Sequence, residues 1–287
     1  MSELSRRVAS AVVAVPVTLA CVWFGDAALA TLLAAAAAVG AWEFYRMADA
    51  ASGARSLSRT GIVLAALAPL VVHASARGFG QPPITAAVLV VLGLLAAAVW
   101  RRGAGGHPLV AVATTVLGVA YVGVPLAYGY ALRTYDYVVG RAAGAALVLL
   151  PLLCTWASDI GAYASGRLIG GPKLIPSVSP GKTVSGAIGA LVASGALAAV
   201  YTPFVLRPVA NLGFAPGRAL LFGLLVSIAA QLGDLVESLL KRDAGVKDSS
   251  HLIPGHGGVL DRVDSLLFVL PASYLLLGWL LLPAFGG

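Results

Sequence analysis

Charge is in short supply in this chain: only 11% of its 287 residues are Asp, Glu, Lys or Arg, while 59% are hydrophobic. That balance excludes an ordinary soluble domain, whose apolar share is about 45–50%. Cysteine is almost missing. Cys21 and Cys154 both lie inside apolar runs, so neither a disulfide framework nor a cysteine-based zinc site is expected, and both read as small apolar side chains. Period-two alternation of apolar and polar residues is absent, which argues against a transmembrane barrel. The sequence also has no domain linker, charged tail or internal repeat. The alanine-rich TLLAAAAAVGAW is compositional bias within a helix.

What is present is a succession of long apolar runs, with a mean hydropathy of +0.92. They fall at 8–24, 28–46, 60–76, 84–100, 109–131, 143–166, 184–206, 217–240 and 265–283, each near the ~20 helical residues that cross a bilayer core. The expected fold class is an all-α polytopic membrane protein of about nine transmembrane helices. Residues 1–140 form an N-terminal scaffold of about five helices. Residues 141–287 form a catalytic region of about four, with loops 167–183 and 241–264 on the cytoplasmic side. That side follows from the cations: with the N-terminus in the cytoplasm, all but Arg77, Arg133, Arg141, Arg207 and Arg218 of the 19 Lys and Arg residues are cytoplasmic. The net charge of +7 then reflects topology and anionic lipid headgroups, and calls for no nucleic-acid partner. MSELSRR before an apolar run and DAALA resembles a cleavable signal, but 8–24 exceeds the usual apolar region and further spans follow, so the first span is expected to stay.

Half of the 12 acidic residues lie between Asp234 and Asp264, so chemistry is expected in the C-terminal half. In the first half only Glu43, Tyr45 and Arg46 stand out. Tyr45 and Arg46 read as interfacial anchors and Glu43 as support for a neighbouring site. Asp159, in CTWASDIGAYASGRLIGG, is an ionisable group inside a span and is expected to line a polar pocket. The alternative is a helix-helix contact built on Ser158, Ser165, Gly161 and Gly166.

The loop GGPKLIPSVSPGKTVSGAIG ends like a P-loop at Gly181, Lys182 and Thr183, but Pro176 stands where the first glycine belongs and no strand is expected ahead of it. It still offers Ser179, Lys182 and Thr183 to phosphate just before a helix N-terminus, or else forms a capped turn with a snorkelling lysine. In QLGDLVESLLKR, Asp234, Glu237, Ser238 and Lys241 fall at i, i+3, i+4 and i+7, one helical face too polar for lipid.

The stretch KDSSHLIPGHGGVLDRVDS packs Lys247, Asp248, His251, His256, Asp261, Arg262 and Asp264 around Gly255, Gly257 and Gly258. The glycines permit positive φ and let N–H groups converge on an anion. Carboxylates meeting at such a loop suit Mg²⁺ better than zinc, since thiolates are missing, and His256 reads as a loop hydrogen-bonder or phosphate contact. With cations from Lys182, Lys241, Arg242, Lys247 and Arg262, the set suits nucleoside triphosphate chemistry at the membrane edge, with a lipid as second substrate.

These residues resemble a known family. SLLKRDAGVKDSSHLIPGHGGVLDRVDS, from Ser238 to Ser265, is similar to the signature of phosphatidate cytidylyltransferases, S-x-x-K-R-x4-K-D followed by P-G-H-G-G-x-x-D-R-x-D-S. GDLVES, SPGKTVSG and SDIGAYASGR resemble further blocks of that family in the same order, and the likeness covers roughly residues 155–267. The resemblance implies transfer of CMP from CTP to phosphatidic acid with Mg²⁺, a second cation being left open. It implies Asp234 and Asp261 as main metal ligands, with Asp264 and Asp159 in support, and Lys241 and Arg262 as catalytic cations. Ser179, Lys182, Thr183, Ser238, Arg242, Lys247, Asp248, His256, Gly257 and Gly258 would bind substrate. Gly181, Ser185 and Ser250 depart from the family's common Lys, Glu and Gly. The resemblance further implies a bacterial cytoplasmic (inner) membrane protein, its site facing the cytoplasm amid membrane lipids, and a homodimer. A CTP-dependent lipid-alcohol kinase is the nearest alternative reading, and a cation-coupled transporter a more distant one.

Overall fold

The computed structural model describes residues 3–53, 55–136 and 138–280. Its helices are α1 (Glu3–Phe24), α2 (Asp26–Ser52), α3 (Ser58–Phe79), α4 (Ile84–Arg101), α5 (Pro108–Arg133), α6 (Arg141–Leu168), α7 (Val184–Ala210), α8 (Pro216–Asp243) and α9 (Leu260–Leu280). From α2 onward, eight are long and apolar enough to cross a membrane; the apolar part of α1 described with its side chains, Ser10–Phe24, is shorter. The all-α polytopic class follows. Three helices carry a wider π-type turn, at Ser75–Phe79 in α3, Val119–Gly123 in α5 and Thr202–Leu206 in α7.

Helix ends differ from the apolar runs where charge begins. The second apolar run stops at residue 46, yet α2 continues to Ser52 and keeps Glu43, Arg46 and Asp49 on helix. Likewise α9 starts at Leu260, so Asp261 lies in its first turn, where a carboxylate favours the positive end of the helix dipole.

The chain divides into two compact units. The first joins Met1–Cys21, Asp26–Ala131 and Leu240–Val263; the second joins Val22–Gly25, Leu132–Leu239 and Asp264–Gly287. In the first, α2 packs on α3, and the ring of Tyr45 lies against Gly61 of α3 and Gly118 of α5 so closely that a Cβ on either glycine would overlap it. Its hydroxyl donates to the Thr115 carbonyl at 2.7 Å. Tyr45 is thus a buried packing residue and not the interfacial anchor expected from its place near a span end. Small residues let membrane helices approach, since lipid offers no hydrophobic gain for association.

The second unit uses the same device more heavily. A Cβ at Gly161 of α6 would strike the backbone of Gly189 in α7, one at Gly189 would strike Ser165, and one at Gly223 of α8 would strike Ser194 and Gly195. Buried hydroxyls join these helices: Ser194 donates to the Gly223 carbonyl at 2.7 Å, Ser158 and Ser227 share a hydrogen bond of 2.8 Å, and Tyr201 donates to the Ala146 carbonyl at 2.9 Å.

Between α6 and α7 the chain forms a two-stranded antiparallel hairpin, β1 (Lys173–Ile175) with β2 (Ser179–Thr183), where a strand-free loop was expected. Pro176, the residue that breaks the P-loop pattern, explains the hairpin. It occupies the second position of a turn closed by the Val178 N–H on the Ile175 carbonyl at 3.2 Å, the place where fixed φ helps most. Thr183 then caps α7, its hydroxyl accepting from Gly186 N–H at 3.1 Å.

Candidate active site

The second unit holds a cavity of about 500 Å³ lined from five elements. Helix α6 supplies Ser158, Asp159, Tyr163 and Arg167; β1 supplies Leu174; β2 supplies Gly181, Lys182 and Thr183; the first turn of α7 supplies Gly186 and Ala187; α8 supplies Gln231 and Asp234. Close packing at Gly161 and Gly189 brings α6 and α7 together, so that Asp159 faces the cavity while its neighbour Ser158 bonds to α8. The two readings of this segment, pocket and helix contact, are both realised on adjacent residues.

Lys182 Nζ lies 2.8 Å from Asp234 Oδ2, and Ser238 Oγ donates to Asp234 Oδ1 at 3.3 Å. The two side chains are 25% and 40% exposed, but the Lys182 ammonium nitrogen itself is buried, so water and a ligand meet this pair from the Asp234 side. Across the cavity wall Arg167 donates to the Tyr163 hydroxyl at 2.6 Å. Two cations and two carboxylates therefore border one opening, a balance that accepts a polyanion together with a divalent ion. Glu237, next on the α8 stripe, is fully buried.

In the first unit the glycine-rich segment builds a different constellation. His256 N–H closes a turn on the Ile253 carbonyl at 2.9 Å, with Pro254 and Gly255 at its centre; Gly255 has φ +77°, as the third position of a type II turn requires. The His256 ring shares a 2.7 Å hydrogen bond with Ser10 of α1. The N–H of Gly258 donates to Asp261 Oδ2 at 2.8 Å, so the anion it meets is the protein's own carboxylate.

Asp261 is the centre of that constellation. Oδ2 also accepts from Ser249 N–H at 2.9 Å and Ser249 Oγ at 2.7 Å, while Oδ1 faces Lys241 Nζ at 2.7 Å. The side chains of Asp261 and Lys241 are 5% and 13% exposed. Above Ser249 sits Glu43 of α2, wholly buried, accepting from Ser249, Ser250, Val259 and Leu260. Arg46, one turn on, donates to the Ser249 carbonyl at 2.5 Å and lies over the Trp42 ring.

The remaining expected residues are placed as follows. Arg242, Lys247 and Arg262 are exposed, Arg242 donating to the Val246 carbonyl at 3.4 Å. Asp248 and Ser179 are half-buried, and Gly257 has φ +78°. Asp264 accepts from its neighbour Ser265 N–H at 2.6 Å. Sequence reasoning missed Ser249, Ser10, Gln231 and Tyr163, and noted Ser250 and Arg167 without giving them a role in the site. Of these, Ser249 and Ser250 lie inside the 28-residue signature and Arg167 inside SGR, so only their neutrality or position hid them.

A sequence model of the cytidylyltransferase family matches residues 5–280. The chain belongs to the cytidylyltransferase family. Curated relatives of this family member carry the name phosphatidate cytidylyltransferase. The Staphylococcus haemolyticus protein is 44% identical over 159 residues, 55% of this chain and 56% of the relative. The Bacillus subtilis protein is 40% identical over 157 residues, 55% of each. The Haemophilus influenzae protein is 46% identical over 140 residues, 49% of this chain and 48% of the relative. The chain thus spans about half the length of the curated relatives it matches.

Proposed function

We propose that this protein transfers CMP from CTP to phosphatidate, giving CDP-diacylglycerol and pyrophosphate. The observation that carries the reading is the 500 Å³ cavity in which Lys182, Arg167, Asp159 and Asp234 border one opening, in a chain of the cytidylyltransferase family whose curated relatives bear the phosphatidate name.

A phosphatidate oxygen is already anionic near neutral pH. It forms its bond to the α-phosphorus of CTP as the bond from that phosphorus to the bridging oxygen breaks, and the electron pair leaves with pyrophosphate. No proton has to move, which fits a site built of fixed charges and not around a general base. The protein must instead hold two polyanions together. Lys182 and Arg167 place positive charge at the cavity, while the Thr183 hydroxyl and the N-terminus of α7 add neutral donors and a favourable dipole. Ser179, Ser238, Arg242, Lys247, Asp248, His256, Gly257 and Gly258 are further assigned to substrate phosphates and nucleotide. In the loop of the first unit, Lys241 and Arg262 are the cations assigned to the reaction.

Among the described residues no cluster of three or more metal-ligating side chains occurs. Mg²⁺ needs only one or two carboxylates when phosphates and water complete its shell, and Asp159 and Asp234 provide that pair in the cavity. Asp261 and Asp264 are the further carboxylates assigned to metal, Asp261 Oδ1 already facing a cation. When bound, the ion offsets the charge that develops on the leaving phosphates. The distribution of Lys and Arg supports a site on the cytoplasmic face, the bacterial relatives support an inner-membrane location, and the resemblance supports a homodimer.

The test is incorporation of label from CTP into lipid by purified protein with phosphatidate and Mg²⁺, with and without chelator. Chelator-sensitive transfer from the α-labelled position is expected. Transfer of γ-label to a lipid alcohol, with none from α-label, would replace this reading with the kinase.

A further inference from the structure

We infer that Glu43 is a positioning residue for this reaction: its buried carboxylate fixes the Ser249–Leu260 loop and, through Ser249, sets the orientation of Asp261. The inference rests on the transferase reading above.

Glu43 lies outside the 155–267 stretch whose motifs resemble the family's, though within the residues that the family model matches, and it is 0% exposed. Its oxygens divide the work. Oε2 accepts from Leu260 N–H at 2.6 Å and lies 3.2 Å from Ser249 Oγ; Oε1 accepts from Val259 N–H at 3.1 Å and from the Ser250 hydroxyl. Each oxygen thus holds one backbone N–H at the start of α9, the turn that carries Asp261. An N-terminal helix end leaves such donors unsatisfied, so α2 caps α9 across 217 residues of sequence.

The link to Asp261 is a shared serine. Ser249 Oγ is 2.7 Å from Asp261 Oδ2 and 3.2 Å from Glu43 Oε2, and a hydroxyl has one proton. The two carboxylates share it in a bifurcated bond, Asp261 on the shorter leg and Glu43 on the longer. Ser249 also gives Asp261 a backbone N–H, so two of the three donors on Oδ2 belong to one residue. There is no room for slack: a Cβ on Gly258 would strike both Ser249 Oγ and Glu43 Oε1. Ser250, where the family commonly has glycine, adds a donor to Glu43 without touching Asp261.

A carboxylate is required because both of its oxygens meet backbone N–H groups, which cannot turn around. An amide presents one N–H₂ to one of them. Glu43→Gln is therefore expected to lower kcat by about 100-fold, the loss that a displacement near 1 Å produces, with little change in KM for phosphatidate. The Mg²⁺ concentration for half-maximal rate should rise with it. In metal-free protein, amide exchange across 247–261 should quicken while the helices keep their protection. Ser250→Ala is expected to shift the same quantities in the same direction by about tenfold or less.

Full-length protein in lipid discs would be assayed for kcat, both KM values, Mg²⁺ dependence and exchange. A Glu43→Gln protein with lower thermal stability but unchanged kcat per folded molecule and unchanged Mg²⁺ dependence would reduce Glu43 to a structural cap and overturn the inference. Should Glu43→Gln fail to fold, Ser250→Ala decides: wild-type kcat and Mg²⁺ dependence there overturn it equally. Failure of wild-type protein to make CDP-diacylglycerol would sink the transferase reading instead, whereas loosened 247–261 exchange in Glu43→Gln would still register the positioning.

Discussion

Breaking the Lys241–Asp261 pair should open the glycine-rich loop, and by a calculable amount. The two side chains are 13% and 5% exposed, and their atoms stand 2.7 Å apart. Asp261→Ala removes the carboxylate that faces Lys241 and, at once, the acceptor for Ser249 N–H, Ser249 Oγ and Gly258 N–H. Removing one partner of such a buried pair costs about 3–5 kcal/mol. Lys241→Met removes the charge from the other side, and the three donors still hold Asp261 as a carboxylate. The cost there is that of one charge-assisted hydrogen bond, about 1.5–3 kcal/mol. In the double variant the Lys241–Asp261 contact is lost only once, so its cost should fall below the sum of the singles by about 1.5–3 kcal/mol, a coupling typical of contacting charges.

Native-state hydrogen exchange over 247–263, in protein free of nucleotide and metal, reads this directly because it reports opening of the segment itself. A loss of about 3 kcal/mol corresponds to exchange roughly 100-fold faster. The remaining spans should keep their protection. If the two substitutions add to within about 0.5 kcal/mol, the pair is not coupled and the account of Asp261 as the loop's electrostatic centre is wrong.

Asp234→Ala is expected to abolish lipid labelling with a modest loss of thermal stability, about 1–3 kcal/mol, because the carboxylate is 40% exposed but faces a buried Lys182 ammonium; a variant with near-normal turnover would remove Asp234 from the chemistry. Gly258→Ala should destabilise the loop by about 1–3 kcal/mol, since the added methyl meets Ser249 and Glu43, both buried, and this is measured by the same exchange experiment. Gly189→Ala should likewise lower the melting temperature by forcing α7 away from Ser165 and Gly161. Gly93→Ala in α4, where a Cβ meets nothing within 4 Å, should leave the melting temperature unchanged or raise it slightly.

How far these features could be read from the chain alone depends on whether their cause is local. The spans were legible because a bilayer core imposes one length on each apolar run, and α4 begins at Ile84 as its run does. The α8 stripe was legible because helical spacing puts Asp234, Ser238 and Lys241 on one face whatever packs beside it. Asp159 in a cavity followed from the cost of an ionisable group inside a span. The hairpin at Lys173–Thr183 was hidden because Pro176 was weighed only as a defect in a phosphate motif, although fixed φ suits the turn it makes. The use of the glycine-loop amides was hidden for a deeper reason. Positive φ at Gly255 and Gly257 could be anticipated from composition, but which anion an N–H meets depends on groups far away in sequence. Gly258 N–H and Ser249 meet Asp261, and the start of α9 meets Glu43 of α2, 206 to 217 residues from the groups it binds. No periodicity carries such a pairing. The one trace it leaves is a carboxylate in an apolar run with no charged neighbour at helical spacing to account for it except Arg46, which is itself turned to the same serine. An acidic residue so placed has to find donors elsewhere in the fold. The segment from Ser249 to Leu260, with two serine hydroxyls and the backbone N–H groups at the start of α9, is where Glu43 finds them.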